Sequence, residues 1–212
     1  MPYIEIDSEK ISFELNHFES YLDDLEAILN NDGDEIDNEQ SDTDQRYEDQ
    51  QLSLDEKQRS DDALSESKYL LGERYDIFYS SFVIALFSYL EHKMNRLCRK
   101  WCAKNAVKIN LEDIRGSGIH RARIYLEKAC NKVMPNEELW NEVVAIGLVR
   151  NCLAHAGGEL GTNNKKLRNY IAKSSKNGIR IYNDNLRLSK EYCSFALGIM
   201  HKFLHELTRP IF

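Results

Sequence analysis

No apolar stretch in this chain is long enough to cross a bilayer. The longest, Ile77 to Leu90, covers 14 residues and is broken by Ser80, Ser81 and Ser88, short of the ~20 that a spanning helix needs. It reads as a buried core helix, and no membrane partner is expected. Met1 to Lys10 is mixed and acidic rather than basic and then apolar, so no secretory leader is expected there. Cysteine is sparse and unpaired: Cys98, Cys102, Cys130, Cys152 and Cys193 are odd in number and show no CxxC spacing. That pattern fits reduced, mostly buried thiols in a cytoplasmic protein. Cys98 and Cys102 share a helix face, yet no second pair completes a zinc site. Phosphate-loop, dinucleotide-binding, serine-elbow and HExxH sequences are missing too, and no internal repeat is detectable. No cofactor is expected.

What is present is ordinary in bulk and uneven in distribution. Hydrophobic residues make up 42% and charged residues 30% of 212, as in soluble globular proteins. That length buries a real core, in one domain with additions. A net charge of −7 argues against a nucleic-acid partner until its location is considered. Between Asn31 and Asp62 there are thirteen Asp or Glu and three Lys or Arg, so the other residues together carry about +3. A mildly basic remainder permits RNA binding without demanding it. Residues 31–62, low in aromatics, read as an acidic linker or an exposed helical extension. Their functional alternative is an acidic decoy lying over a basic RNA groove.

Helical periodicity runs through most of the rest. In residues 1–30, Ile11, Leu15, Phe18, Leu22, Leu25 and Leu29 fall at three- and four-residue spacing, an amphipathic helix from Ser8 with Asp7 or Ser8 as its cap. Residues 63–212 read as the main helical domain. A long helix from about Ala63 to Lys104 carries Tyr75, Phe78, Phe82, Leu86, Tyr89, Leu90, Leu97 and Trp101 as core. A third helix follows over Ile119 to Val133, after a loop in which Asn110 and Asp113 can cap a short turn. Its His120, Arg121 and Arg123 form either a solvated face or a track for phosphates. A short helix, Lys165 to Lys173, is basic along one side. Alternation with turn residues predicts a small β-hairpin near 178–189, and Ser189 to Leu207 forms the last helix. His201 and His205 share a face there, without a third ligand to make a metal site. The expected fold is all-α, an antiparallel helical bundle with a small C-terminal hairpin.

Chemistry concentrates in Glu137 to Gly158. Trp140, Val144 and Leu148 recur every four residues as one expected buried stripe, and its continuation reaches Asn151 and His155. Arg150 precedes Asn151, and Gly157 and Gly158 follow where a chain leaving a helix needs positive φ. Arg with a His five residues on is a weak pattern, with roughly 0.4 chance matches expected from composition. A second copy, Arg115 to His120, lies in a Gly-Ser-Gly loop and has no polar residue after its Arg. Context separates the two: only the first has a helical seam before it and an Asn beside its Arg.

The segment VRNCLAHAGG resembles the signature of HEPN domains, all-helical modules in which an Arg, an adjacent polar residue and a His close a late helix. FYSSFVIALFSYLEHKMNRLCRKW is similar to the long helix that faces the motif helix there. The resemblance covers about residues 68–160, extends plausibly to the C-terminal helix and leaves the first sixty residues unassigned. It implies a metal-independent endoribonuclease with Arg150, Asn151 and His155 as catalytic residues. Such an enzyme leaves 2′,3′-cyclic phosphate and 5′-OH ends. It also implies a homodimer whose two motif helices share one cleft. Glu91 is a candidate support for Arg150, against the plainer reading of a surface Glu. Arg121, Arg123, Lys165 and Lys166 are candidate RNA contacts. Some HEPN toxins carry a Tyr two residues after the His; Gly157 stands there, which sets aside that branch, linked to regulation by nucleotide transfer. A defence or toxin–antitoxin ribonuclease with a cognate antitoxin fits the first class. The alternative class is an inactive HEPN-like scaffold for a protein, RNA or nucleotide partner.

Overall fold

The computed structural model describes residues 5–105, 108–162, 164–174 and 177–209. The first four residues of the expected N-terminal helix segment and the last three of the expected main domain lie outside them. The chain runs α1 (Glu5–Glu48), α2 (Leu54–Asn105), a 3₁₀ turn (Leu111–Asp113), α3 (Gly118–Ile124) and a π turn (Tyr125–Ala129). It continues with α4 (Glu137–Ala156), α5 (Lys165–Ser174), β1 (Ile179–Tyr182), β2 (Asn185–Leu188) and α6 (Lys190–Thr208). The fold is all-α with one small antiparallel hairpin.

Two long helices organise it. On α1, Ile11, Leu15, Leu22 and Leu29 are buried, with Phe18 and Leu25 packed at the edge. They meet Phe78, Phe82, Leu86 and Leu90 of α2 and the inner face of α6, where Tyr192, Ala196, Met200 and Phe203 are buried. Each such apolar side chain contributes about 1.5–3 kcal/mol when withdrawn from water. Polar clasps fix the α1 register. Tyr89 donates to Glu14 at 2.8 Å and the buried Lys93 pairs with the same carboxylate, while Tyr79 donates to Glu26 at 3.1 Å. Lys190, at the start of α6, pairs with Asp23 at 2.9 Å and with Glu26.

The acidic stretch is helical. Residues 31–48 continue α1 without a break and residues 54–62 open α2, with a tight turn between them in which Gln50 has φ 56°. So many carboxylates tolerate helix because basic residues of the facing strand of the arm neutralise some of them. Arg74 reaches Asp32 at 2.6 Å, Lys68 reaches Asp37 at 3.1 Å and Lys57 reaches Asp44. Inside the arm the contacts are largely polar, with Thr43 against Ser60 at 3.1 Å beside the buried Leu64.

Several local expectations need correcting. Neither Asp7 nor Ser8 begins α1, since the helix already runs at Glu5. The third helix stops at Ala129 through a π turn rather than reaching Val133, and Asn131 takes φ 51°. Asn136 caps α4: its side-chain carbonyl accepts from the Leu139 N–H at 2.8 Å. Asn110 and Asp113 do bracket the 3₁₀ turn, the Asn110 N–H donating to Asp113 at 2.9 Å. The hairpin closes through Asn183 and Asp184, both at positive φ (48° and 61°), the backbone that a two-residue turn of matching twist requires.

Candidate functional site

The buried side chains of α4 are Leu139, Trp140, Val143, Ile146, Val149, Cys152 and Leu153. Val144 and Leu148, expected in the buried stripe, are only half-buried. The reason is geometric: at 3.6 residues per turn a strict four-residue spacing drifts by about 40° at each step. The stripe therefore turns outward through Val144 and Leu148; the three-residue step brings Asn151 back to about 20° from Trp140, yet it and His155, near the end of the helix, are exposed. At Gly147, α4 lies close against α2: a Cβ there would lie 2.9 Å from the Phe87 ring.

Arg150 points the other way, toward α2. Its guanidinium lies over the Phe87 ring, 5.5 Å from the centroid. One terminal nitrogen donates to Glu91 at 3.0 Å and the other to the neighbouring Asn151 amide oxygen at 2.9 Å. Its Nε is buried without a hydrogen-bond partner among the described residues. Glu91 is thus an ion-pair partner rather than a surface carboxylate, with side-chain exposures of 21% for Arg150 and 26% for Glu91. The other Glu91 oxygen lies against Gly118 at the start of α3, where a Cβ would come within 2.7 Å of it. Gly118, in the second Arg–His copy and at the start of α3, therefore lies against the carboxylate that Arg150 of the first copy binds.

His155 stands one turn beyond Asn151 on the same face of α4, exposed. The structure gathers Arg150, Asn151 and Glu91 into one bonded group and leaves the imidazole outside it. After Ala156 the helix ends as Gly157 turns left-handed (φ 58°), and the Gly158 N–H bonds Cys152 O at 3.1 Å. Cys152 is no nucleophile: it is buried, its thiol hydrogen-bonds Glu159 O at 3.4 Å, and burial pushes its pKa up.

No family model matches this chain, and neither does any curated protein or solved structure.

The basic candidates divide. Lys165 and Lys166 are exposed in the first turn of α5. Arg123 is occupied, bonded to Glu127 at 2.8 Å and to Glu137, with its guanidinium 4.6 Å from the Trp140 ring centroid. It braces α3 against α4 and is not free for phosphate. Arg121 is half-buried, with an Nε that has no partner among the described residues. His201 meets Ser12 at 3.1 Å and His205 at a ring separation of 6.5 Å. Among the described residues no three His, Cys, Asp or Glu converge.

Two features were missed in the sequence. Phe87 is not among the aromatics singled out in the sequence, although its position four residues before Glu91 puts both on the face that meets α4. A groove of about 520 Å³ also opens beside the end of α4, walled by Ile77, Ile84 and Leu153 and floored by Ser80, Ser81 and Gly157. Nothing in a linear reading joins α2 to β2 across it.

Proposed function

We propose that this protein is a metal-independent endoribonuclease of HEPN type, acting through Arg150, Asn151 and His155 with Glu91 in support. The observation that carries the reading is the Arg150 guanidinium, fixed between Glu91 at 3.0 Å and Asn151 at 2.9 Å, on the helix that presents an exposed His155. A guanidinium is permanently charged and offers five N–H donors in a rigid fork. Two are engaged, which fixes its orientation and leaves others for phosphate oxygens. Imidazole, with an ordinary pKa near 6.5, moves protons at neutral pH.

RNA brings its own nucleophile. The 2′-OH gives up its proton to an imidazole and its oxygen bonds the adjacent phosphorus. The bond from phosphorus to the 5′-oxygen breaks, and that oxygen takes a proton from an acid. The products are a 2′,3′-cyclic phosphate and a 5′-OH. One imidazole does not serve both ends at once, so a second His155 from a symmetric partner completes the pair. Support for a homodimer comes from apolar surface beside the motif: Val144 and Leu148 of α4 are half-buried, and Ile77 of α2, in the groove at the end of α4, is 69% exposed.

The test is cleavage of total RNA and tRNA in EDTA by purified protein, beside Arg150→Ala and His155→Ala. Wild-type-only cleavage with cyclic phosphate ends supports the reading. No cleavage by well-folded protein leaves the second reading, an inactive HEPN-like scaffold, which the exposed acidic arm of residues 31–62 favours. In that case the arm binds a basic protein partner.

A further inference from the structure

We infer that Gly118 is a positioning residue for the Arg150 site: the absence of a side chain there lets Glu91 stand where it orients the guanidinium. This rests on the ribonuclease reading and extends it to α3, which carries none of the proposed catalytic residues.

Three observations meet at one carboxylate. A Cβ at Gly118 would sit 2.7 Å from Glu91 Oε1 and 3.8 Å from Cδ, with no other atom within 4 Å. The displaced atom would be the end of a flexible side chain, so a methyl group there moves the carboxylate rather than the backbone. The other oxygen of that carboxylate, Oε2, accepts from Arg150 at 3.0 Å. Arg150 in turn reaches Asn151 at 2.9 Å and has a buried Nε without a hydrogen-bond partner among the described residues, so only Asn151 and the Phe87 ring hold the guanidinium if Glu91 moves. Gly118 also has φ 55°, which any L residue adopts at some strain.

Strain and contact can be separated within this chain. Gly161 has nearly the same φ, 58°, but a Cβ there meets nothing within 4 Å. Gly161→Ala therefore carries the backbone penalty without touching Glu91. We compare Gly118→Ala, Gly161→Ala, Glu91→Gln and the Glu91→Gln/Gly118→Ala double variant. Each is measured for RNA cleavage and for the Arg150 Nε–H resonance in ¹⁵N spectra of the full chain.

Gly118→Ala is expected to lower kcat roughly tenfold with KM within about twofold, because misplacing a catalytic group costs rate more than binding. Gly161→Ala should match wild type. The double variant should be no slower than Glu91→Gln alone, since both changes act through one carboxylate. The Arg150 resonance should shift in Gly118→Ala and stay put in Gly161→Ala. Equal losses in the two glycine variants, multiplying losses in the double variant, or an unmoved resonance overturn the assignment. If wild type cleaves no RNA, the ribonuclease reading falls and the resonance alone decides whether Gly118 sets Glu91. Should Gly118→Ala fail to fold, Gly118→Asn brings the same Cβ on a side chain better tolerated at positive φ.

Discussion

Glu91 on α2 accepts a hydrogen bond from Arg150 on α4 at 3.0 Å while its second oxygen rests against Gly118 on α3. One carboxylate thereby ties together three helices that lie far apart in the sequence. The arrangement gives Arg150 a fixed direction, and fixed direction is what distinguishes a phosphate-binding fork from a solvated surface arginine.

Removing the charge of Glu91 should be felt twice. Both partners are about three-quarters shielded, with exposures of 21% and 26%, so screening by water is incomplete. Glu91→Gln leaves the cation half-buried without its counter-charge and should cost about 1–2 kcal/mol. In a chain of 212 residues that is a fall in Tm of about 2–8 °C. RNA cleavage should drop as well, by roughly tenfold. Calorimetry and a cleavage time course on the same preparation check both.

His155 should behave in the opposite way. It is exposed and lies outside the bonded group, so His155→Ala should leave stability within about 0.5 kcal/mol. If it transfers the proton, cleavage falls by about 10²–10⁴-fold. A variant as stable as wild type and equally active would remove His155 from the mechanism.

How much of this was legible beforehand follows from the range of the forces involved. Helix periodicity is local, so α1, α2, α6 and the Asn183–Asp184 hairpin turn could be read from spacing and turn chemistry. The acidic segment was ambiguous because its helix depends on partners such as Arg74 and Lys68, which bind Asp32 and Asp37 from the facing helix. Trp140 is buried as expected, whereas Val144 and Leu148 misled because the four-residue rule ignores the drift of a 3.6-residue turn. Gly118 was invisible as a site residue: only the packing of α3 on α2 brings it to Glu91. Arg123 read as a basic contact although Glu127 stands four residues on; Glu137, its second partner, reaches it only once α3 and α4 pack.

Gly147 sets the spacing of the helices that carry the site. An added methyl group would lie 2.9 and 3.1 Å from two atoms of the Phe87 ring, itself only 4% exposed. Alanine normally gains about 1 kcal/mol over glycine in a helix, but overpacking costs about 1–3 kcal/mol. The packing term should win, and Gly147→Ala should be destabilised by about 1 kcal/mol net. Because Arg150 lies over the same ring, the variant should also lose cleavage activity. A rise in Tm would mean that Phe87 moves aside freely.

The clasp between α1 and α2 predicts a pH dependence. Burial alone would raise the Glu14 pKa, but hydrogen bonds from Lys93 and Tyr89 outweigh it and hold the carboxyl below its ordinary 4.5. A lowered folded pKa means stability that is present above the ordinary value and lost as pH falls through the lowered one. Glu14→Gln strands Lys93, whose side chain is 8% exposed, and should cost about 2–3 kcal/mol near neutrality. The gap in Tm between wild type and variant should then shrink as pH falls below 4.5. A gap constant across that range would show that the carboxylate contributes no charge-dependent stability.

The last prediction concerns the second imidazole. Ile77 is 69% exposed beside the groove at the end of α4, so in an isolated protomer Ile77→Glu should change stability by no more than about 0.5 kcal/mol. If two copies pair across α4 and the adjoining face of α2, the same change buries unpaired like charges against each other and should dissociate them. Light scattering at micromolar concentration should report the mass of a dimer for wild type and of a monomer for Ile77→Glu. Cleavage should fall with dimerisation and recover as protein concentration is raised, while Tm of the dilute protein stays put. A wild type that is monomeric yet fully active would require both proton transfers within one chain. That outcome would direct attention to the exposed Lys165 and Lys166 as the nearest alternative donors in the sequence after the motif.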